Sequence, residues 1–170
     1  MPEIHITEYR LKLSRELRRG EVPQLRGFFG RRFAEQVLLH HHREDGSLLY
    51  DYPRIQFKVL DRQAVLIGLE EGSELLTQLW LEVDQAKLGS ENLPVQEATI
   101  QKRRATFGAT EGMVTYRFLS PWLALNQKNA RRYCDSDNSV ERFRLLESII
   151  VGNCLSFAKS FGYTVNMRLR

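Results

Sequence analysis

Apolar and polar residues follow two different periods in the first sixty residues of the chain. Residues 4–13 and 55–59 alternate apolar with polar side chains, which is typical of strands with one buried face. Between these strands, Pro23 stands where the first turn of a helix tolerates proline, and apolar side chains then follow at four-residue spacing. These side chains are Leu25, Phe29, Phe33 and Val37. The spacing predicts one amphipathic helix that ends near His40.

A hairpin and a second helix are predicted to follow. A short polar turn at residues 61–63 joins the strand at 55–59 to a run of apolar residues at 64–69. So short a connection favours an antiparallel hairpin. Ser73 is the predicted N-cap of the next helix, because its hydroxyl can accept a hydrogen bond from the first turn.

The first hundred residues predict one recognisable fold. Residues 89–94 have the composition of a loop, and residues 98–107 predict a further strand. The resulting order is the ferredoxin-like β-α-β-β-α-β unit, in which two helices cover one face of an antiparallel sheet. The sequence therefore predicts an α+β fold with a ferredoxin-like domain over residues 1–108.

The hydrophobic pattern restarts in the last third of the chain. Residues 113–119 and 163–170 predict strands, and between them Asn138 opens the clearest helix in the chain, which Gly162 closes. One apolar stripe of that helix is predicted to be buried: Phe143, Leu146, Ile150, Cys154, Phe157 and Phe161. A strand, a helix and a strand are half of a ferredoxin-like unit. Residues 109–170 are therefore predicted to form a second, partial or abbreviated ferredoxin-like domain.

Charge and composition narrow the class of protein only slightly. Among the 170 residues, 25 are Lys or Arg and 21 are Asp or Glu, a surplus that suits a polyanionic partner but is also common in proteins without one. No apolar run approaches the ~20 residues of a membrane span, and the N-terminus lacks a signal pattern, so we expect a soluble, cytoplasmic protein. Cys134 and Cys154 lack metal-site spacing and are expected to be buried, reduced thiols.

Three of the four histidines stand together where the first helical pattern stops, at His40, His41 and His42. Imidazole is the side chain best suited to proton transfer near neutral pH, and a phenol can share acid and base roles with it. Tyr50 and Tyr52 are the two candidates, and Tyr50 is favoured because Tyr52 has the strand parity of the polar residues that follow it. Two alternative roles stay open for the cluster. In one, a cationic histidine interacts with the helix dipole, which is worth about 0.3–1 kcal/mol. In the second, the histidines form a zinc site completed by the acidic residues at 44–45.

Several basic residues are candidates for contact with phosphate groups. Lys58 lies on the polar side of its predicted strand, where a cation can stabilise charge that develops on a phosphate. The other candidates are Arg26, on the predicted first helix, and the consecutive Lys102, Arg103 and Arg104. Convergence of these groups on one side of the domain would indicate binding to a phosphate backbone. The predicted central strand at 64–69 has no aromatic residue, which argues against the base-stacking RNA readers that share this fold.

The residues from about 24 to 72 carry motifs in a specific order. Leu-Arg-Gly-Phe-Phe-Gly at 25–30 is followed by the histidines, by Tyr-Asp-Tyr-Pro-Arg-Ile-Gln-Phe-Lys at 50–58, and by Leu-Ile-Gly-Leu-Glu-Glu-Gly at 66–72. This order resembles the CRISPR-associated endoribonucleases that cut precursor CRISPR RNA within its repeats. The similarity is to the branch with paired histidines before a Tyr-x-Tyr-Pro-x-Ile-Gln strand.

The resemblance implies a pair of ferredoxin-like folds and sequence-specific RNA cleavage that needs no metal or other cofactor. The 2′-hydroxyl attacks the adjacent phosphate and leaves 2′,3′-cyclic phosphate and 5′-hydroxyl ends. By the resemblance, His42 and His40 are the paired catalytic histidines, and His41 takes one of these places if the register shifts by one residue. The resemblance also makes Tyr50 the active-site tyrosine and Lys58 a phosphate contact. The implied partners are CRISPR repeat RNA and, beyond it, a second copy of the chain or other CRISPR-associated proteins.

The C-terminal tail departs from the pattern of that family. Residues 165–170 contain nothing like the glycine-rich segment with which these enzymes approach RNA near their C-terminus. The alternative expectation is a non-catalytic RNA-binding subunit, or a truncated relative, within a CRISPR ribonucleoprotein. A zinc protein is the third hypothesis.

Overall fold

The structure is a computed structural model that describes residues 1–40, 52–119 and 125–169; for His40 it describes the backbone alone. The chain divides into two compact units, Met1–Phe107 and Gly108–Arg170. None of the helices in the described ranges is long and apolar enough to cross a membrane.

The first unit is built on a five-stranded antiparallel sheet. Its elements are β1 (Glu3–Leu13), a 3-10 turn (Arg19–Glu21), α1 (Val22–Arg32), α2 (Val37–His40), β2 (Ile55–Leu60), β3 (Gln63–Leu69), α3 (Glu71–Leu79), β4 (Gln85–Leu88) and β5 (Glu91–Thr106). The strand order is β2-β3-β1-β5-β4, which places β1 at the centre. The predicted α+β class is confirmed, and the predicted strand and helix order is present with β4 as an addition.

The two faces of this sheet differ in chemistry, because alternate side chains of each strand point to opposite sides. One face carries the buried Thr7, Tyr9 and Leu11 of β1 and packs against α1 and α3; we call it the helix face. The opposite face carries the partly exposed Glu8 and Arg10 of the same strand, and we call it the polar face.

Phe29 of α1 lies at the centre of the core on the helix face. Its ring is fully buried and packs against Tyr9, Phe28, Phe33 and Phe57, with ring centroids between 5.3 and 6.4 Å away. Burial of one such ring stabilises a fold by about 1.5–3 kcal/mol. These contacts hold α1 against β1 and β2.

The first helix is shorter than its apolar spacing predicted. α1 ends at Arg32, since Phe33 adopts non-helical backbone angles (φ −122°, ψ 58°), and only the single turn α2 follows. The break changes which residues of the following turn face the core. Leu39 is fully buried, whereas Val37, which the spacing placed in the core, is 40% exposed. Four-residue spacing does not reveal this break because Phe33 itself keeps its place in the core.

Helix α3 begins before the predicted N-cap, so the assignment of Ser73 was wrong. Glu70 is the residue that precedes the helix, and it has a positive φ of 49°. The Ser73 hydroxyl is buried and lies 2.6 Å from the hydroxyl oxygen of Thr7. A sequence pattern cannot distinguish a serine that caps a helix from one that pairs with a buried hydroxyl on a distant strand.

The segment predicted to be a loop at 89–94 is mostly strand. Gly89, with φ 61°, turns the chain between β4 and β5, and the two strands pair from Gln85 with Pro94 to Leu88 with Glu91. The prediction failed because Gly, Ser, Asn and Pro are more frequent in loops than in strands.

The second unit contains α4 (Gln127–Asp135) and α5 (Ser139–Ser160). The side-chain oxygen of Asn138 accepts a hydrogen bond from the N–H of Val140 at 2.9 Å, and Gly162 follows the helix with φ 70°. The predicted beginning and end of this helix are therefore confirmed.

The two strands predicted for the second unit are wrong over the residues that the structure describes. Residues 113–119 and 163–169 have no regular secondary structure, and Tyr116 is 87% exposed. A strand is stable only beside a partner strand, and a short alternating pattern does not supply one. The partial ferredoxin-like identity of residues 109–170 stays a prediction.

The predicted buried stripe of α5 is partly exposed. Phe143 is 67% exposed, and Cys154 is exposed, as is Cys134 of α4, so the prediction of buried thiols was wrong. The buried side of α5 carries Leu145 and Ala158 instead. Periodicity identifies an apolar side of a helix but does not show whether a neighbouring element covers it.

Candidate active site and nucleic-acid interface

The predicted catalytic residues lie at the last position of α2 and in the segment between α2 and β2. His42 and Tyr50 lie outside the described residues, as does His41, and His40 is described only as the last backbone position of α2. The acidic residues at 44–45 of the zinc hypothesis also lie outside the described residues. The structure therefore describes how this segment is held at its two ends.

Its N-terminal end is anchored in the core through Leu39. This side chain, which directly precedes His40, is fully buried, and its backbone N–H donates a 3.0 Å hydrogen bond to the carbonyl of Gln36. The N–H of Gln36 donates in turn to the carbonyl of Phe33, also over 3.0 Å. The break after α1 thus determines where the histidine cluster begins.

Its C-terminal end is anchored against β2, β3 and α3. The amide of Gln56 donates a 3.2 Å hydrogen bond to the Tyr52 hydroxyl. The Nε of Arg54 lies 3.4 Å from the carboxylate of Glu71, and the carbonyl of Arg54 accepts the N–H of Leu69 at 2.8 Å. These contacts define the path of the chain into β2.

Two glycines allow α3 to pack closely on this end of the segment. A Cβ on Gly72 would lie 2.2 Å from the carbonyl oxygen of Arg54, and a Cβ on Gly68 would lie 2.3 Å from the carbonyl oxygen of Gly72. Carbon atoms do not approach backbone oxygen atoms so closely. The close contact of β2, β3 and α3 therefore explains why Gly68 and Gly72 of the motif at 66–72 carry no side chain.

Lys58 lies on β2 and points to the polar face, in a row that continues through Val65 and Arg10. It is partly buried, and no carboxylate in the described ranges forms an ion pair with it. Arg10, in contrast, pairs with Glu8 and lies 3.6 Å from Asp61. Lys58 is therefore the cation of this row that can neutralise a phosphate.

The three consecutive cations of β5 point to both faces of the sheet. Lys102 is paired with Thr7 and belongs to the helix face, whereas Arg103 is paired with Ile6 and belongs to the polar face. Arg104 returns to the helix face, and its guanidinium lies 3.9 Å from the Glu3 carboxylate. All three are exposed, but a flat ligand on one face meets only part of this group.

The predicted phosphate contacts do not converge on one surface of the first unit. Arg26 is exposed on α1, on the side of the sheet opposite to Lys58 and Arg103. The candidates therefore form two groups: Lys58 and Arg103 lie on the polar face, and Arg26, Lys102 and Arg104 lie on the side of the helices. A nucleic acid that contacts both groups must pass an edge of the sheet.

Arg15, after β1, is engaged in ion pairs within the fold. Its guanidinium donates a 2.7 Å hydrogen bond to Glu21 and also pairs with Glu91. The hydrogen bond from Arg15, together with one from the backbone N–H of Arg18, holds the pKa of the Glu21 carboxyl below its ordinary value. Because its guanidinium already bridges two carboxylates, Arg15 is a structural cation.

Two family models match the chain in tandem. The model of the Cas6b N-terminal domain matches residues 2–106, and that of the Cas6b C-terminal domain matches residues 108–170. The chain belongs to the Cas6b family. The resemblance to CRISPR-associated RNA-processing proteins in the sequence is therefore confirmed at the level of the family.

Solved structures are similar to this Cas6b chain over nearly all of its length. A crystal structure of Cas6b is 29% identical with a TM-score of 0.89, and the similarity covers 99% of this chain and 77% of that one. A crystal structure of the CRISPR RNA processing endoribonuclease Cas6b is 27% identical with a TM-score of 0.72, covering 99% of this chain and 74% of that one.

A curated relative of this Cas6b chain comes from Methanocaldococcus jannaschii and carries the name Uncharacterized protein MJ0978. It is 37% identical over 93 residues, which are 55% of this chain and 63% of that protein. The chain thus spans less than two thirds of the length of this relative.

One histidine contact of this Cas6b chain was missed from the sequence. The Nδ1 of His5, on β1, lies 3.3 Å from the carboxylate of Glu70, which also accepts the His5 N–H at 2.9 Å. The N–H of Glu70 donates back to the carbonyl of His5 at 3.0 Å. This pair joins β1 to the turn before α3. Its residues are 65 positions apart, and no local motif indicates their contact.

Proposed function

We propose that this Cas6b chain is an endoribonuclease that cleaves precursor CRISPR RNA within its repeats. The observation that carries the proposal is the match of both Cas6b domain models, which together cover residues 2–106 and 108–170. The similarity to a CRISPR RNA processing endoribonuclease at a TM-score of 0.72 supports the same activity.

The proposed reaction is a metal-independent transesterification. A base removes the proton of the 2′-hydroxyl, whose oxygen forms a bond to the adjacent phosphorus. The bond from phosphorus to the 5′-oxygen breaks, and an acid protonates that oxygen, which leaves 2′,3′-cyclic phosphate and 5′-hydroxyl ends. His42 and His40 divide the acid and base roles, Tyr50 orients or protonates an oxygen, and Lys58 stabilises the charge on phosphate.

The reaction class is tested with a labelled repeat RNA. Cleavage is expected to continue in excess EDTA, and mass spectrometry of the products should find 2′,3′-cyclic phosphate and 5′-hydroxyl ends. An RNA with deoxyribose just before the scissile phosphate should remain intact. Cleavage of that deoxyribose substrate would refute attack by the 2′-hydroxyl, and loss of cleavage in EDTA would refute the metal-independent mechanism.

The residue roles are tested by single substitutions. His42→Ala, His40→Ala and Tyr50→Phe should each lower the single-turnover rate, by about 10²–10⁴-fold for a lost acid or base, while RNA affinity changes little. His5→Ala is the matched control, since His5 is an exposed histidine outside the cluster, and its rate should remain that of the wild type. Full activity of a cluster variant would exclude that residue from catalysis.

Arg26, Lys102, Arg103 and Arg104 are proposed to contact the RNA backbone. Removal of one phosphate contact lowers affinity similarly for all sequences and reduces the salt dependence of log K by about 0.7–0.9. Filter binding of each alanine variant between low and moderate salt measures both effects. A variant with an unchanged salt dependence does not contact phosphate.

A non-catalytic RNA-binding subunit is the second candidate function. It is supported by the exposed basic residues Arg26, Lys102, Arg103 and Arg104, which can bind an RNA backbone whether or not the chain cleaves it. Such a subunit, alone or with other CRISPR-associated proteins, binds repeat RNA in a salt-dependent manner and releases no product. Binding without cleavage under single-turnover conditions would replace the first candidate by the second.

A further inference from the structure

The side chain of Gln56 holds the hydroxyl of Tyr52 on the polar face of the sheet. Gln56 belongs to β2 and is the cross-strand neighbour of Ile67, and its Nε2 donates a 3.2 Å hydrogen bond to the Tyr52 hydroxyl oxygen. Lys58 follows two residues later on the same strand, so its side chain lies on the same face. A phenol, an amide and an ammonium group therefore lie on one side of β2.

The direction of this hydrogen bond orients the phenol. A hydroxyl group can both accept and donate, whereas the Nε2 of an amide only donates. The N–H of Gln56 is directed at the oxygen of Tyr52, so the O–H of Tyr52 points away from Gln56 and is directed at a different acceptor. Tyr52 is thus presented on the polar face as a hydrogen-bond donor.

The backbone beside Tyr52 is fixed by contacts with β3 and α3. Two residues after Tyr52, the carbonyl of Arg54 accepts the N–H of Leu69 at 2.8 Å. The backbone of Gly72 packs so closely against the same carbonyl that a Cβ there would lie 2.2 Å from its oxygen. Both the chain at Tyr52 and its hydroxyl are therefore held in place. A donor that is held in this way needs little reorganisation when it meets a charge that develops in a reaction.

A phosphate group fits the two donors on this side of β2. The non-bridging oxygens of a phosphodiester carry negative charge and only accept hydrogen bonds, so they suit both the O–H of Tyr52 and the ammonium group of Lys58. In the part of the chain that the structure describes, no carboxylate forms an ion pair with Lys58. Tyr52, Gln56 and Lys58 are all partly buried, so water weakens their interactions less than at a fully exposed site.

We propose that Tyr52 and Lys58 together bind the non-bridging oxygens of the scissile phosphate, and we call these two residues the phosphate clamp. Tyr52 is a catalytic residue that donates its O–H to one of these oxygens, and Gln56 is a positioning residue that acts through Tyr52. As the 2′-oxygen bonds to phosphorus, negative charge increases on the non-bridging oxygens, so the clamp stabilises the transition state more than the substrate. Tyr52 keeps its proton throughout, and the proton transfers stay with the acid and base of the proposed endoribonuclease function, on which this inference rests.

The strand parity of Tyr52 is the reason for its assignment to the clamp. In the sequence, this parity favoured Tyr50 over Tyr52, because Tyr52 shares it with the polar residues that follow. The hydrogen bond from Gln56 shows that the same parity places the Tyr52 hydroxyl on the side of the sheet to which Lys58 points. The clamp adds a residue to the proposed site and leaves the roles of the histidines and of Tyr50 as proposed above.

Single-turnover cleavage of a labelled repeat RNA by the 170-residue protein tests the clamp. Tyr52→Phe removes the O–H and retains the ring, so the rate should fall about 100- to 1,000-fold while the dissociation constant for RNA changes by less than about threefold. Tyr116→Phe is the matched control, because Tyr116 is 87% exposed in the second unit and belongs to no proposed site, and its rate should stay that of the wild type. Circular dichroism and the urea midpoint show whether each variant is folded.

Phosphorothioate substrates report directly on contact with the phosphate. Sulfur accepts hydrogen bonds more weakly than oxygen, so sulfur at the non-bridging position that Tyr52 contacts should slow the wild type about tenfold, in one diastereomer alone. Tyr52→Phe lacks this contact and should cleave the two diastereomers at nearly equal rates. If Tyr52 had only a structural role, the preference between diastereomers would be the same in both proteins. Equal rates of the wild type on the two diastereomers would overturn the clamp without the use of any variant.

A double-mutant cycle tests the positioning role of Gln56. Gln56→Leu should lower the cleavage rate about tenfold in the wild-type background and leave it nearly unchanged in the Tyr52→Phe background, because Gln56 acts only through the phenol. Equal losses in both backgrounds would overturn the positioning role. If the wild type cleaves RNA and Tyr52→Phe cleaves it at the same rate, the clamp alone is refuted. If the wild type binds RNA and does not cleave it, the endoribonuclease function is refuted and the clamp with it.

Discussion

Replacing Gly72 by alanine would place a methyl group against the backbone of Arg54, at the end of the segment between α2 and β2. The new Cβ would lie 2.2 Å from the carbonyl oxygen of Arg54, 2.8 Å from its carbonyl carbon and 2.9 Å from Cγ1 of Ile55. Ordinary contact begins at 3.4 Å, so α3 and β2 must separate by about 1 Å. Backbone atoms cannot rotate away as a flexible side chain can.

Two opposing effects set the change in the free energy of unfolding that Gly72→Ala causes. Overpacking of this kind costs typically about 1–3 kcal/mol, and a backbone contact belongs at the upper end of that range. Alanine in place of glycine in a helix recovers about 1 kcal/mol. We therefore expect Gly72→Ala to lower the free energy of unfolding by about 2 kcal/mol.

Urea unfolding followed by circular dichroism measures this difference. Gly20→Ala is the control in the same unit, because a Cβ there has no heavy atom within 4 Å, and its free energy should stay within about 0.5 kcal/mol of the wild type. If Gly72→Ala proves as stable as Gly20→Ala, the close approach of α3 to β2 is not a constraint on the fold. Because this contact also directs the chain at Arg54, Gly72→Ala should in addition slow RNA cleavage.

Three further predictions concern single polar groups. Thr7→Val leaves the buried Ser73 hydroxyl without its partner and should lower the free energy of unfolding in urea by about 1–3 kcal/mol. The double variant Thr7→Val/Ser73→Ala should be more stable than the sum of the two single effects predicts. Strict additivity of the two effects would show that the hydroxyls do not interact. Glu21→Gln should be less stable than wild type at neutral pH, since the hydrogen bond from Arg15 lowers the folded-state pKa of Glu21. This difference in stability between the variant and the wild type should disappear as the pH falls through the lowered pKa, because the wild-type carboxylate is then protonated. A difference in stability that persists in acid would contradict the ion pair. Lys58→Ala should lower the single-turnover cleavage rate about 100-fold while Arg26→Ala lowers mainly affinity, and equal rates for the two variants would remove Lys58 from the active site.

The sheet of the first unit could largely be predicted from the sequence because its signals are local. The alternation at residues 4–13 and the short turn at 61–63 specify strands and a hairpin by the chemistry of neighbouring residues. The polar-face position of Lys58 followed from the same period of two and is confirmed. Features that depend on distant contacts could not be read in this way. The hydroxyl pair that removes Ser73 from the N-cap joins residues 66 positions apart.

Residue types alone nominate the candidate site, and the roles of those residues stay a prediction. A cluster of imidazoles at the end of a helix indicates proton transfer without reference to the rest of the fold. The helix break at Phe33, which sets the position of that cluster, leaves no signal in the apolar spacing. In the second unit, the end signals of α5 were local and correct, whereas the exposure of Phe143 depends on which elements lie beside the helix.

The division of residues 102–104 between two faces determines how this basic tract behaves under mutation or selection. Neighbours in the tract are not substitutes for one another, since the side chain at 103 and the side chain at 102 point to opposite faces of the sheet. Lys102 and Arg104 should share a phenotype and compensate for each other's loss, while Arg103 varies independently of both. A deletion of one residue earlier in this strand would exchange the two sets and turn each basic side chain to the opposite face of the sheet.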